Sequence, residues 1–309
     1  MTSPDRPAPL PRRCLLKAGL AVTGAAVTAT AFAAPAASAR PGADSSAGRA
    51  ELAELEERFG ARLGLYARNV RTGRTLAHRA GERFAMCSTF KAFAAAAVLR
   101  DAAGRAPLDR VVHYPPHDSL PNSPKTDEHQ ATGMTVADVC AAAIQYSDNT
   151  AGNLLLREIG GPAGLTRFFR SLGDEVSRLD RWETELNSAI PGDPRDTTTP
   201  RAVAANLERL VLGPALAHPD RERFVGWLKG NTTSAARFRA GLPRGWVVAD
   251  KTGTGSHATA NDIGVAWTTR GTPVVLAVLS AKPGRDAPVD EKLIEEAARI
   301  AARVVAPGE

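Results

Sequence analysis

The sequence lacks the patterns that hold metals, nucleic acids and dinucleotides. Its 309 residues include three cysteines and six histidines, and the histidines form neither H-E-x-x-H nor H-x-H. No basic run contains interleaved aromatic side chains, which argues against a nucleic-acid surface. The G-x-G-x-x-A match at residues 253–258 precedes a strand pattern rather than a helix, so it does not indicate a dinucleotide site. We therefore predict no metal and no organic cofactor.

The first 39 residues form a predicted leader rather than part of the fold. Paired arginines at positions 12 and 13 precede an Ala-rich apolar stretch over residues 18–34, and Ala37-Ser38-Ala39 is a small-residue cleavage site. The stretch falls short of the ~20 strongly apolar residues that a membrane span needs. We therefore predict a twin-arginine signal that engages the twin-arginine export machinery and is cleaved near Ala39. The product is expected to be secreted without stable membrane association; the alternative is a retained anchor.

The rest of the chain suits one large domain or two closely packed ones. The leader carries part of the formal net charge of +6, so the remainder has too weak a bias to indicate a nucleic acid or a membrane as partner. Loss of the leader removes Cys14 and leaves Cys87 and Cys140. Their spacing does not show whether they meet, and a chain of this size needs no disulfide to fold. We expect two free thiols.

Hydrophobic periodicity predicts strands near both ends of the chain and helices between them. The predicted strands cover residues 63–68, 75–78, 246–251, 261–268 and 274–280. The predicted helices cover residues 49–59, 88–99, 136–145, 150–159, 162–172, 200–212, 220–229 and 290–305. We predict an α/β fold of the α+β type, in which helices flank an antiparallel sheet formed from both termini and an all-helical domain is inserted.

The predicted domain boundaries follow from this order. The α/β domain comprises residues 40–85 and 230–309, and the helical domain comprises residues 86–229, with the active site between them. Residues 104–132 are predicted to be mostly loop. A second irregular segment, residues 179–199, is unusually long for a structureless loop, and such loops are usually functional.

Ser88-Thr89-Phe90-Lys91 opens the most Ala-rich helix pattern of the chain. Residues three apart on a helix share a face, so the Lys91 amine is expected beside the Ser88 hydroxyl. A buried amine next to a hydroxyl is one way to activate a serine nucleophile, and the unpaired N–H groups of a helix N-terminus favour a developing anion. The alternative is that Ser88 only caps the helix and Lys91 is a surface residue.

Two further motifs follow in order, Ser147-Asp148-Asn149 and Lys251-Thr252-Gly253. Ser147-Asp148-Asn149 alone could be a helix cap before Thr150. With Ser88-x-x-Lys91, however, the set is typical of class A β-lactamases and penicillin-binding proteins. The segment from Arg181 to Thr198 resembles the omega loop of class A serine β-lactamases, and the resemblance covers essentially the whole chain after the leader.

The resemblance implies a serine β-lactamase that hydrolyses the β-lactam amide of penicillin-type antibiotics. Ser88 would form the acyl-enzyme, and a water activated by Glu183 and shared with Asn187 would hydrolyse it. Either Lys91 or Glu183 is the base for acylation. The substrate is a small molecule, and the enzyme is expected to be a monomer.

The resemblance also assigns supporting roles. The backbone N–H groups of Ser88 and Thr254 would form the oxyanion hole, and the Ser147 hydroxyl would pass a proton to the departing nitrogen. Arg181 and Asp196 are expected to close the omega loop as a bidentate ion pair. The residues expected to bind substrate are Asn149, Asn187, Lys251, Thr252, Gly253, Thr254 and Arg237.

Several positions depart from the family pattern. Arg237 is expected to replace the arginine that many relatives carry at the position of Ala260, the alternative being a surface arginine. Cys87 precedes the nucleophile as in some carbapenem-hydrolysing members, but Gly255 occupies the place of its partner. Ala95 likewise occupies the place of the expected partner of Cys140. Neither bridge is expected, so the resemblance does not imply carbapenem hydrolysis. Asn122 occupies a position at the mouth of the site that is often aromatic.

Two other functions share the three motifs. A D-alanyl-D-alanine peptidase or penicillin-binding protein would lack the pair Glu183 and Asn187, and in that case Glu183 would be a solvated loop acid. A non-hydrolytic β-lactam sensor domain would be expected with a retained membrane span and a signalling module, and neither is evident in the sequence.

Overall fold

The computed structural model describes residues 43–101 and 107–309. The predicted leader, residues 1–39, lies outside the described residues, so export, cleavage and secretion stay predictions. Within the described ranges, none of the helices combines the length and the apolar character that crossing a membrane requires. The described residues belong to one compact unit, and the proposed division of this region into two domains stays a prediction.

The centre of the fold is a five-stranded antiparallel sheet of order β2-β1-β9-β8-β7. Strand β1 pairs with β9 along its whole length, with Arg62 opposite Ala281 and Asn69 opposite Val274. This pairing joins the two ends of the chain in one sheet, as predicted. The strands are β1 Arg62–Asn69, β2 Thr75–His78, β3 Phe84–Ala85, β4 Val111–Val112, β5 Met134–Thr135, β6 Thr197–Thr198, β7 Val247–Gly255, β8 Thr259–Trp267 and β9 Pro273–Ala281.

Helices cover both faces of this sheet. Short 3₁₀ turns cover Cys87–Thr89, Pro116–Asp118 and Glu185–Ser188. The α-helices are α1 Ala43–Phe59, α2 Phe90–Asp101, α3 Pro124–Glu128, α4 Val136–Gln145, α5 Asn149–Glu158, α6 Gly161–Ser171, α7 Pro200–Val211, α8 His218–Lys229, α9 Phe238–Gly241 and α10 Glu291–Val305.

Two apolar cores lie on the two faces of the sheet. One face packs against α1 and α10, whose Leu52, Leu293 and Ile294 are fully or almost fully buried. The other face packs against the helical region, with Ile263 of β8 and Phe93 of α2 in the same cluster. Strand β9 is buried on both faces, which explains its nearly continuous run of Val, Leu and Ala.

Helix α2, which contains Lys91, is buried on all sides, as its apolar composition predicts. The run from Ala92 to Leu99 has side chains that are at most 3% exposed. Alanine gives these turns high helix propensity and lets neighbouring helices approach closely. This helix fixes the position of the first motif against the sheet. The described part of the mostly irregular stretch 104–132, residues 107–132, contains three short elements that periodicity did not show: β4, the 3₁₀ turn Pro116–Asp118 and α3.

Candidate active site

Ser88 lies in the 3₁₀ turn Cys87–Thr89, which continues directly into α2. Cys87 has a left-handed backbone, with φ of 45°, a strained conformation for a residue with a side chain. Asn261 of β8 fixes the backbone just before this turn, because its Nδ2 donates to the carbonyl oxygens of Ala85 and Met86 at 2.9 and 3.1 Å. The nucleophile candidate therefore sits at the start of a buried helix, braced by the sheet.

Lys91 is completely buried and surrounded by oxygen atoms. Its Nζ lies 2.9 Å from Ser88 Oγ, 2.7 Å from the carbonyl oxygen of Ser147 and 2.6 Å from Asn149 Oδ1. The fourth neighbour is Glu183 Oε1, at 2.9 Å. The alternative of a surface lysine is therefore wrong. Lys91 thus connects the first motif, the second motif and the loop of Glu183.

The second motif connects α4 to α5. Ser147 has a left-handed backbone, with φ of 56°. Asp148 is fully buried and caps α5 by accepting from the N–H of Ala151 at 2.8 Å. It also accepts from the backbone N–H groups of Lys125 and Thr126. The motif is therefore both a helix cap and part of the site, because the cap fixes the backbone that presents Ser147 and Asn149.

Glu183 points into the site from the omega loop. Its side chain is 0% exposed, so it is not a solvated loop acid. Oε1 lies 3.2 Å from Ser88 Oγ, and Oε2 accepts from Asn187 Nδ2 at 2.5 Å. The hydroxyl, the amine and the carboxylate are thus in mutual contact. Lys91 and Glu183 are both within reach of the Ser88 proton.

Asn153 was missed in the sequence, although it holds the Glu183 backbone. Its Oδ1 accepts from Glu183 N–H at 2.9 Å, and its Nδ2 donates to the Glu183 carbonyl at 3.0 Å. Asn149 and Asn153 lie four residues apart on α5, and such residues share a helix face. That spacing is the signal that could have identified Asn153. Gly152 keeps room for Lys91, since a Cβ there would lie 2.7 Å from Lys91 Cε.

Arg181 and Asp196 close the base of the omega loop, but not as the bidentate pair that we expected. Arg181 Nε donates to Asp196 Oδ2 at 2.6 Å, while Nη1 donates to Ser188 Oγ at 2.9 Å. Asp196 Oδ1 accepts instead from the backbone N–H groups of Asp180 and Arg181. One carboxylate oxygen thus fixes the backbone and the other fixes the guanidinium, so the contact organises more of the loop than a bidentate pair would.

The third motif lies on β7, next to Ser88. Lys251 is fully buried, and its Nζ donates to Ser147 Oγ at 3.0 Å and to the Thr252 carbonyl at 2.8 Å. Burial, assisted by the charge of Lys91, lowers the pKa of the Lys251 amine well below its usual value. Gly253 permits the close approach of the strand, because a Cβ there would lie 2.8 Å from the Met86 carbonyl.

Arg237 is buried rather than on the surface, with 3% of its area exposed. Its five N–H groups meet five acceptors: both carboxylate oxygens of Glu291, the carbonyls of Gly253 and Asn261, and Thr254 Oγ1. The expected direct contact with substrate therefore requires one of these partners to be displaced. In the structure Arg237 orients Thr254 and adds positive charge behind β7.

Asp250 and Asp262 form a buried acidic pair behind the third motif. Both are 0% exposed, on neighbouring strands β7 and β8. Asp250 accepts from Arg239 and Asn231, whereas Asp262 Oδ2 accepts from the N–H of Phe238. Burial, with the charge of Asp250 adding to it, raises the pKa of the Asp262 carboxyl well above its usual range. Burial also raises the pKa of Asp250.

This pair gives a pH dependence of stability with a defined sign. A carboxyl whose pKa is raised by folding stabilises the protein below its unfolded pKa of about 4, and that contribution is lost as the pH rises. Asp262→Asn removes the titration. We expect the free energy of unfolding of the variant, minus that of the wild type, to increase above about pH 4 by up to ~1.4 kcal/mol per pH unit. Urea unfolding at several pH values measures this difference.

Asp286→Asn, at an exposed position outside this pair, is the matched control for the same substitution. Parallel curves for Asp262→Asn and the wild type would contradict the assignment of a raised pKa to this pair.

Cys87 and Cys140 are free and buried, as expected. Burial raises the pKa of both thiols, which makes them poor nucleophiles. Gly255 faces Cys87, since a Cβ there would lie 2.7 Å from Cys87 Sγ. The position that would supply a disulfide partner is thus in contact with Cys87 but carries no sulfur.

These features define the class of protein: a penicillin-recognising serine enzyme, with a serine, two lysines and a loop glutamate around one site. Comparisons with known proteins agree. A profile of the beta-lactamase enzyme family matches residues 48–305. The chain is 55% identical over 251 residues to Beta-lactamase FAR-1 of Nocardia farcinica, an alignment that covers 81% of this chain and 80% of the relative. It is 54% identical over 252 residues to Carbapenem-hydrolyzing beta-lactamase KPC of Klebsiella oxytoca, covering 81% and 86%.

A solved structure shows the same fold. The β-lactamase from Desulfarculus baarsii superposes with a TM-score of 0.84 at 51% identity, covering 86% of this chain and 100% of that chain. The chain belongs to the class A serine β-lactamases. It is a hydrolase that acts on β-lactams, an activity that confers antibiotic resistance.

Proposed function

We propose that the enzyme hydrolyses penicillin-type β-lactams through an acyl ester on Ser88, and that a water activated by Glu183 cleaves this ester. The observation that carries the proposal is the position of the Glu183 carboxylate, fully buried and 3.2 Å from Ser88 Oγ. A penicillin-binding peptidase has no need of a carboxylate at this place. A hydrolase needs one, because an acyl ester persists until a base activates water.

Acylation begins when Ser88 Oγ attacks the β-lactam carbonyl and loses its proton. Lys91 Nζ at 2.9 Å and Glu183 Oε1 at 3.2 Å are the two acceptors in reach, and the choice between them stays open. The oxyanion that forms is assigned to the backbone N–H groups of Ser88 and Thr254. Strand β7 packs against the Ser88 turn at Gly253, which supports this assignment.

Collapse of the tetrahedral intermediate breaks the C–N bond of the β-lactam, and the nitrogen needs a proton. Ser147 Oγ is assigned as its donor, because it lies next to Lys251 Nζ at 3.0 Å and its own backbone carbonyl binds Lys91. Lys251 Nζ thus adjoins the Ser147 hydroxyl, and Lys91 Nζ adjoins the backbone carbonyl of the same residue. The proton given to the leaving nitrogen is replaced through these neighbours.

Deacylation requires a water between the ester and the base. Asn187 Nδ2 donates to Glu183 Oε2 at 2.5 Å, while Asn187 Oδ1 is buried without a protein partner. That oxygen is free to accept from a water, and Glu183 is placed to remove the second proton of the same water. The hydroxide equivalent then attacks the acyl carbon, and Ser88 leaves with a proton.

Recognition of the substrate carboxylate is assigned to Lys251, Thr252 and Ser147, with Arg237 acting through Thr254. Asn149 uses its Oδ1 on Lys91 and one N–H on the Pro121 carbonyl. Its second N–H is assigned to an amide carbonyl of the substrate side chain. Because Cys87 is free, the disulfide expected of some carbapenem-hydrolysing members is missing, and penicillins are the proposed substrates, although the relative KPC is named as carbapenem-hydrolysing.

The test combines intact mass and turnover. The purified protein is mixed with excess benzylpenicillin, and the loss of the β-lactam is followed together with the mass of the protein. We expect continuous hydrolysis with little lasting adduct. A stoichiometric, long-lived adduct without turnover would contradict the proposal and indicate a penicillin-binding protein or a sensor. Imipenem in a parallel reaction shows whether carbapenems are also hydrolysed.

A further inference from the structure

The Thr252 hydroxyl, one of the groups assigned to the substrate carboxylate, has a partner that lies behind it. Thr252 is 4% exposed on β7, and its Oγ1 lies 2.5 Å from Thr233 Oγ1. Thr233 belongs to the connection between α8 and α9 and is half-buried. Neither the motifs nor the proposed mechanism uses this residue.

The direction of the hydrogen bond between the two hydroxyls follows from the next residue. Asn231 Nδ2 donates to Asp250 Oδ2 at 2.6 Å, which turns Asn231 Oδ1 toward Thr233. Oδ1 accepts from the Thr233 N–H at 3.1 Å and from the Thr233 hydroxyl at 2.8 Å. A carbonyl oxygen only accepts, so the single proton of the Thr233 hydroxyl points to Asn231. Thr252 therefore donates to Thr233.

An anionic ligand group at Thr252 changes this arrangement. A carboxylate has no proton to give, so Thr252 has to turn its own proton from Thr233 to the ligand. The Thr233 hydroxyl can then rotate from Asn231 Oδ1 to donate to Thr252 Oγ1, only 2.5 Å away. Asn231 Oδ1 keeps the Thr233 N–H, so no buried acceptor loses all of its donors. Two hydroxyl rotations suffice, and no heavy atom has to move.

We propose that Thr233 is a positioning residue for recognition of the β-lactam carboxylate: it holds the Thr252 hydroxyl in both states and acts only through it. The inference rests on the proposed function, in which Thr252 contacts that carboxylate. A hydrogen bond received by Thr252 strengthens the one that it donates, since chains of hydrogen bonds polarise one another. The effect should therefore depend on the negative charge of the substrate.

The test compares benzylpenicillin with its methyl ester, which carries no carboxylate. The measured quantity is the ratio of kcat/KM for the acid to kcat/KM for the ester. In Thr233→Val the hydroxyl is lost with little change of shape, and we expect this ratio to fall about tenfold. Thr233→Ser keeps a hydroxyl and should retain the wild-type ratio. General damage to the fold would lower kcat/KM for the acid and for the ester by the same factor, and the ratio would stay unchanged.

Thr232→Val is the matched control, because the hydroxyl of this neighbour donates to the Gln145 carbonyl at 2.7 Å and does not reach Thr252. Should Val not be accommodated, Thr233→Ala removes the same hydroxyl. An unchanged ratio in the folded variant that lacks the hydroxyl, or an equal fall in Thr233→Ser, would overturn the inference while the wild type still hydrolyses benzylpenicillin. Failure of the wild type to hydrolyse it would overturn the proposed function and this inference together.

Discussion

The Glu183→Gln variant is expected to be acylated by benzylpenicillin and then to remain acylated. Glutamine has the size of glutamate and can still accept from Asn187, but it cannot take a proton from water. Loss of a positioned general base costs about 10²–10⁴-fold in rate. We therefore expect the rate constant of deacylation to fall by about that factor, so that the acyl-enzyme accumulates to the full concentration of the protein. Intact mass against time gives the amount and lifetime of the adduct.

The structure offers a matched control two residues further along the same loop. Glu185 is exposed at the start of the 3₁₀ turn Glu185–Ser188, so Glu185→Gln removes the same charge from the loop without entering the site. It should turn over as the wild type does. Normal turnover by Glu183→Gln would show that the buried carboxylate is not the deacylation base.

The early phase of the Glu183→Gln reaction also separates the two candidate bases for acylation. Lys91 Nζ remains 2.9 Å from Ser88 Oγ in this variant if the site keeps its geometry. Adduct formation at the wild-type rate would assign acylation to Lys91. Slow formation of the same adduct would assign it to Glu183.

Ser88→Ala should abolish both hydrolysis and adduct formation. In another serine hydrolase, removal of the nucleophile costs on the order of 10⁶-fold in kcat, since positioning and oxyanion stabilisation alone leave little activity. The variant is expected to fold, because Lys91 keeps its contacts with Ser147, Asn149 and Glu183. Thermal unfolding checks this, and intact mass with benzylpenicillin checks the chemistry.

Ser171→Ala, at the end of α6, serves as control for the loss of a serine hydroxyl outside the site and should react normally. Any covalent penicillin adduct on Ser88→Ala at the wild-type rate would show that another residue is the nucleophile.

The fold could be predicted from the sequence because its helices and strands differ strongly in hydrophobic periodicity. The antiparallel sheet was predictable because β1 and β9 have alternating or continuous apolar runs and lie near opposite ends of the chain. Helix α4 agrees with the prediction at both ends, since its cap Thr135 and its apolar face are both visible in the sequence. The short elements β4 and α3 could not be predicted, because segments of two and five residues show too little periodicity to be distinguished from a loop.

Only part of the site could be predicted from the sequence. Ser88, Lys91, Ser147, Glu183 and Lys251 stand in recognisable motifs, and the structure brings all five together. Asn153 and Thr233 stand in no recognisable motif. Their roles depend on the Glu183 backbone and the Thr252 hydroxyl, which lie next to them only after folding. The partners of Arg237 are likewise a matter of packing: Glu291, at the start of α10, lies 54 residues away in sequence.

We propose that one hydroxyl, that of Ser88, carries the acyl group and that Glu183 releases it. The most direct measurement is proteolysis and peptide mass mapping of Glu183→Gln after incubation with benzylpenicillin. We expect a single added penicilloyl group on the peptide that contains Ser88, and no such group on the same peptide of the wild type once the substrate is exhausted. An adduct on a peptide containing Ser147 or another residue, or no adduct while hydrolysis continues, would contradict it.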